Sequence, residues 1–153
     1  MNIVPYWENC SGCRFCEIIC SFSNFNLINP KKSGIRIVSI GDVYYPVLCT
    51  NGTACGEKSC IDYCPTKAIY VHDCIVKIEA EKCNGCGICE KICRYGAIKV
   101  INGTAFKCNL CDGEPKCTKF CTQGGIKFEK VNKGRYELLF KYLRGKKFVW
   151  DRR

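Results

Sequence analysis

The chain has 153 residues, enough for one domain of ordinary size or two small fused modules, and 17 of them are cysteine. That is about 11%, above the roughly 8 to 10% at which cysteine becomes the main architectural element of a short chain. The start, Met-Asn-Ile-Val-Pro-Tyr-Trp, has no basic segment leading into an apolar core, and no apolar run approaches the roughly 20 residues that span a bilayer. Secretion and a membrane span are therefore not expected. A cytoplasmic, reducing setting is, where an odd number of thiols spaced two apart serves metals better than disulfides. The formal charge of +10 would by itself suggest nucleic acid or an anionic surface.

Cys10, Cys13, Cys16 and Cys20 open the chain as a C-x2-C-x2-C-x3-C run, preceded by Tyr6 and Trp7 as an apolar cover. Such a run holds iron-sulfur clusters: three thiolates lie on one curled loop, and the fourth starts the helix that leaves it. Two strands follow, Ile35 to Ile40 and Val43 to Leu48, turning at Gly41-Asp42. The second group, Cys49, Cys55, Cys60 and Cys64, is looser, and Pro65 ends its helix. Thr66 to Val71 and Ile75 to Ala80 read as a strand pair turning at His72-Asp73, which leaves His72 solvated and Cys74 packed in the adjoining strand.

The third group is Cys83, Cys86, Cys89 and Cys93, with Gly85 and Gly87 allowing close backbone approach to a cluster. Cys93 lies one helical turn beyond Cys89, better placed to serve a different cluster than to close its own. Another hairpin, Ala97 to Ile101 and Thr104 to Lys107, turns at Asn102-Gly103. The fourth group is Cys108, Cys111, Cys117 and Cys121. From residue 130 cysteine disappears; the tail holds nine basic and two acidic residues, with a helix over Arg135 to Arg144. Its large apolar residues, Phe148 and Trp150 among them, suggest an arm that docks on a partner.

Sixteen grouped cysteines suffice for four 4Fe-4S clusters, leaving Cys74 over. Four-thiolate zinc is the structural alternative, though it favours two separated C-x2-C pairs over three ligands on one loop. Four oxidised clusters with their thiolates carry about −2 each, which would bring the net charge to about +2, so much of the basicity compensates buried anions. No Gly-rich phosphate loop and no catalytic histidine compete with an electron-transfer reading.

Groups two and three, with Cys64-Pro65 and a hairpin after each, resemble a bacterial two-cluster ferredoxin. All four together resemble the four-cluster, ferredoxin-like (polyferredoxin) electron-transfer subunits of molybdenum and tungsten pterin oxidoreductases. Related systems are those of hydrogenase, formate and carbon monoxide dehydrogenases. The short chain and compact fourth group look most like the small subunits that accompany tungsten aldehyde oxidoreductases. The resemblance implies an α+β fold of tandem modules with nested pseudo-symmetry: a body over 1–129, with an inner module 49–107 and an outer one made of 1–48 plus 108–129, then a basic, aromatic arm over 130–153. It implies cluster quartets Cys10, Cys13, Cys16 and Cys121; Cys20, Cys108, Cys111 and Cys117; Cys49, Cys55, Cys60 and Cys93; and Cys64, Cys83, Cys86 and Cys89. The implied partners are a pterin-containing catalytic subunit and ferredoxin or another redox acceptor, with no nucleic acid. A free polyferredoxin and a metal-stapled binding module are the alternatives. The five residues between Cys49 and Cys55, and Thr122 in place of a proline, depart from the family pattern.

Overall fold

The strands are short because the cysteine loops between them leave little chain for anything longer. The computed structural model describes residues 1–56 and 59–144. In chain order it contains β1 (Asn2–Pro5), α1 (Phe15–Phe25), β2 (Ile35–Ile40), β3 (Val43–Leu48), β4 (Ile69–His72), β5 (Ile75–Ile78), α2 (Ile88–Ile92), β6 (Ile98–Ile101), β7 (Thr104–Lys107), α3 (Lys116–Lys119), β8 (Ile126–Glu129) and α4 (Lys133–Leu143). The strands form four two-stranded sheets: the hairpins β2–β3, β4–β5 and β6–β7, and the pair β1–β8, which joins opposite ends of the body. This is the α+β tandem-module class that the cysteine loops and hairpins imply.

The β6–β7 hairpin turns at Asn102-Gly103, both left-handed, as a tight two-residue turn requires. The β4–β5 hairpin is shifted by one residue from where the sequence pattern places it. His72 pairs with Ile75 inside the ladder, and the turn is Asp73-Cys74, with φ +50° and +60°. An aspartate reaches the left-handed region at small cost, so it can lead the turn. Cys74 consequently sits exposed at the tip and is not the packed strand thiol that the sequence suggests.

β1 and β8 run antiparallel, with Asn2 opposite Glu129 and Pro5 opposite Ile126, and the Tyr6 amide continues the seam to the Gly125 carbonyl. Pro5 is tolerated because it lies at the end of a two-stranded ladder. α1 packs against α3, so the first and last cysteine groups come together.

Two apolar clusters lie beneath the loops. The larger joins Ile3, Trp7, Ile35, Val47 and Leu48 to Tyr95 and Ala97, and also to Tyr136, Leu139 and Leu143 of α4. The smaller gathers Ala68, Ile69, Val76, Ile98 and Ala105. α4 begins where the Asn132 side chain accepts from the Arg135 amide, which satisfies a first-turn donor. The Tyr136 hydroxyl donates to the Ile3 carbonyl at 2.7 Å, Arg135 pairs with Glu8, and the Arg94 guanidinium lies 3.8 Å from the Phe140 ring centroid. The helical half of the expected arm thus packs on its own body, while Phe148 and Trp150 lie outside the described residues. Among the described residues no helix is long and apolar enough to cross a membrane.

Candidate metal centres

The cysteine loops owe their curl to alternating backbone handedness. In the first, Gly12 and Arg14 are left-handed, and in the third Gly85 and Gly87 occupy the corresponding positions. Runs that alternate in this way turn successive amide N–H groups toward one concavity, the form of an anion-binding nest. Arg14 and Gly87 then act as the caps from which α1 and α2 start. A Cβ on Gly85 would stand 2.4 Å from the Gly103 carbonyl oxygen, so the third loop is seated directly on the turn of β6–β7.

The second and fourth loops reach the same end differently. Five residues separate Cys49 from Cys55 because Thr50 to Thr53 folds into a turn of its own, with Asn51 and Gly52 left-handed and the Thr53 amide bonded to the Thr50 carbonyl. In the fourth, Leu110, Cys111, Asp112 and Gly113 are left-handed in succession.

Three of the four cysteine sets line cavities. Cys10, Cys13, Cys16 and Cys121 surround an open one of about 470 Å³, walled by Phe15, Ile37, Pro46, Phe120 and Ile126. Cys49, Cys55, Cys60 and Cys93 line a tighter one of about 20 Å³, and Cys20, Cys108, Cys111 and Cys117 another of about 10 Å³. Of the remaining four, Cys64 and Cys89 share the smaller core with Cys83 packed against it, and Cys86 is exposed. Among the described residues, no three Cys, His, Asp or Glu side chains converge closely enough to hold a single ion.

The electrostatics couple thiols mostly within these sets, with Cys117 also feeling Cys16 and Cys108 feeling Cys49 across them. Burial first, then the charges of Cys49, Cys93 and Cys55, push the Cys60 thiol up to about 12. Burial and then Cys20 push Cys108 up to about 12. Burial, with Cys83 and Cys86 adding to it, raises Cys89 to about 11. Cys16 rises through burial, with Glu17, Cys10, Cys121 and Cys13 adding to it, and Cys117 through burial with Cys108, Cys20, Cys16 and Cys111. Four thiolates cannot ionise together in such a space unless positive charge lies among them.

The residues fit an iron-sulfur core on this ground. Each set supplies thiols, and backbone amides already point at several sulfurs: Gly34 to Cys20 at 3.2 Å, and Asn51 to Cys49, Ala97 to Cys93 and Ala105 to Cys83 at 3.3 Å each. Such N–H donors stabilise ionised sulfur and raise the reduction potential of what it binds. Gly34 does two things at once, because a Cβ there would also stand 2.7 Å from the Cys108 amide nitrogen. Gly34→Ala should force Cys20 and Cys108 apart and cost about 1–3 kcal/mol of overpacking. Loss of roughly four iron per chain on desalting, against a wild-type control, is the readout; an unchanged iron content counts against the contact.

Several residues around the centres escape sequence reasoning. Lys99 and Lys107 are buried although lysine in a strand ordinarily marks a solvated face. Lys99 reaches the Lys31 carbonyl, and burial lowers it to about 8. Asn51 and Asn2, also buried, are joined by a hydrogen bond from the Asn51 side-chain amide to Asn2 Oδ1, although they lie 49 positions apart. The one signal in the chain is the position of Lys107 directly before Cys108, at the end of the strand Thr104–Lys107.

Comparison with known proteins gives this arrangement a context. Two descriptions of a 4Fe-4S binding domain match the chain, one at residues 75–98 and one at 7–23. The polyferredoxin-like subunit of the aliphatic sulfonate oxidoreductase of Pyrococcus furiosus is 32% identical over 139 residues, which covers 88% of this chain and 79% of that one. An uncharacterized ferredoxin of Methanocaldococcus jannaschii is 34% identical over 86% of this chain and 72% of its own length. A tetrathionate reductase subunit of Archaeoglobus fulgidus is 34% identical over 69% of this chain and 52% of its own length.

Proposed function

We propose, for a chain that belongs to the family of polyferredoxin-like iron-sulfur subunits of oxidoreductases, that its sixteen grouped cysteines hold four 4Fe-4S clusters in nested quartets. It is a non-catalytic electron-transfer subunit of an oxidoreductase complex; three of the quartets are those that line the cavities described above, and the fourth is Cys64, Cys83, Cys86 and Cys89 at the smaller core. When bound, each cluster supplies a one-electron couple, with no substrate bond made or broken. The protein's part is to hold thiolates, aim amide N–H groups at them and keep water out.

One observation carries this reading: thiols from distant loops, such as Cys93 and Cys49, line the same void. The quartets then stand in series. Cys16 and Cys20, one helical turn apart in α1, and Cys117 and Cys121, four positions apart across the end of α3, tie the two outer quartets together. Cys60 with Cys64, four positions apart in a run of turns where the sequence predicts a helix, and Cys89 with Cys93 at the end of α2, do the same for the two inner ones. Between the modules the link is through space, where Cys49 and Cys108 feel each other's charge.

The catalytic partner is a pterin-containing tungsten or molybdenum subunit, with ferredoxin or a similar acceptor at the other end and a cytoplasmic setting. Support comes from the family resemblance of the cysteine pattern and from relatives named as oxidoreductase subunits. Protein purified without oxygen should contain about sixteen iron and sixteen sulfide per chain and bleach reversibly with a low-potential reductant. Its copurifying partner should contain tungsten or molybdenum. Stoichiometric zinc without sulfide would end the electron-transfer reading, and a metal-free partner would end the pterin one.

A further inference from the structure

Lys107 is 3% exposed at the end of β7, and no carboxylate pairs with it among the described residues. Its Nζ donates to the Asn51 side-chain oxygen at 3.0 Å and to the Cys108 carbonyl at 2.7 Å. Asn51 is itself held: its amide donates to Cys49 Sγ, and its side-chain oxygen also accepts from the Val76 amide. A buried ammonium with two oxygens and no counter-charge is costly to a fold unless an anion lies nearby. The nearest candidates are thiolates, since Lys107 lines the cavity of Cys49, Cys55, Cys60 and Cys93 and directly precedes Cys108.

Its place in the molecule is unusual as well. Within each proposed module, adjacent quartets are joined by cysteines four positions apart, whereas Cys49 and Cys108 are linked through Asn51, which donates to Cys49 Sγ, and Lys107, which donates to Asn51 and to the Cys108 carbonyl. We propose that Lys107 is a positioned cation shared by the two central clusters, setting their reduction potentials and screening their mutual repulsion. The inference rests on the ligand quartets proposed above. Two adjacent sites of charge about −2 repel an incoming electron, and a fixed positive charge between them makes reduction of either easier.

The test uses the full chain with its clusters, and Lys107→Met, Lys107→Gln and Lys107→Arg variants. Iron and sulfide are counted first, and each preparation is then titrated against potential with electron paramagnetic resonance as the readout. In the neutral variants, two of four signals should need a lower potential. Their reduced-to-oxidised ratio at fixed potential should fall at least about tenfold, which is about 59 mV for a one-electron couple. The terminal pair should stay in place, and Lys107→Arg should titrate near the wild type. If the neutral variants lose iron while Lys107→Arg keeps it, the charge is required for assembly and the proposal stands. Equal potentials in all fully loaded variants, or loss of iron in all three alike, would overturn it. A wild-type count far from sixteen iron would instead overturn the quartets.

Discussion

Cys93→Ala should cost the protein the cluster proposed for Cys49, Cys55 and Cys60, and leave intact the one proposed for its own neighbours Cys83, Cys86 and Cys89. The reason is directional. Cys93 follows α2, and its sulfur accepts from the Ala97 amide and lines the void of the second loop. Cys64 approaches the third loop from the other side, through the smaller core. The expected result is a fall from about sixteen to about twelve iron, or conversion of one cluster to a three-iron form, with one signal lost and three retained. Cys89→Ala should remove a different signal. Loss of the same signal in both variants would show that each loop closes its own cluster, and the nested arrangement would fail.

Shortening the chain from residue 134 should be almost as damaging, although it removes no cysteine. Tyr136, Leu139 and Leu143 are 1%, 1% and 2% exposed, and they lie in one apolar cluster with Cys20, Cys49, Cys108 and Cys117. Leu139→Ala alone should destabilise the body by about 2–5 kcal/mol. Tyr136→Phe, which strands the Ile3 carbonyl, should cost about 1–3 kcal/mol. A module this small depends on its metal for folding energy, so weakening that core also weakens its hold on the clusters. Thermal unfolding and iron retention, both followed without oxygen, are the measurements. A truncated chain with wild-type midpoint and iron content would mean that α4 is an ornament. The residues after 144 carry the remaining case for a partner-binding arm, and removing 145–153 alone should spare the clusters and reduce copurification.

How much of the molecule is legible in its sequence depends on how local each feature is. The cysteine loops are spelled out by spacing, and the hairpin at Asn102-Gly103 by a dipeptide with one strong conformational preference. The β4–β5 turn falls one residue away from its expected place because His72, Asp73 and Cys74 give no comparable signal, and cross-strand packing decides the register. β1 and β8 leave no trace in the pattern, since four residues are too few to show a period and their partners lie at the far end of the body. Charge alone suggests a free arm for the tail, yet the buried face of α4 repeats at Tyr136, Leu139 and Leu143, a spacing of three and four that binds a helix to a core. Buried lysines are invisible for the opposite reason. Composition counts them as solvated, and only a neighbouring anion makes their burial tolerable.

The seam between β1 and β8 also dictates an order of construction. Pairing Asn2–Pro5 with Ile126–Glu129 joins segments more than a hundred positions apart, so this contact cannot form while the later half of the polypeptide is still being synthesised. The residues that line the void of Cys49, Cys55, Cys60 and Cys93 all lie between positions 49 and 107, so that site does not wait for the seam to bring its thiols together. In the proposed quartets, Cys10, Cys13, Cys16 and Cys20 would meanwhile wait as reduced thiols, open to oxygen and to stray metals, until Cys108 and Cys121 arrive. Newly made chains caught by brief oxidative stress should therefore carry their damage at the amino-terminal loop.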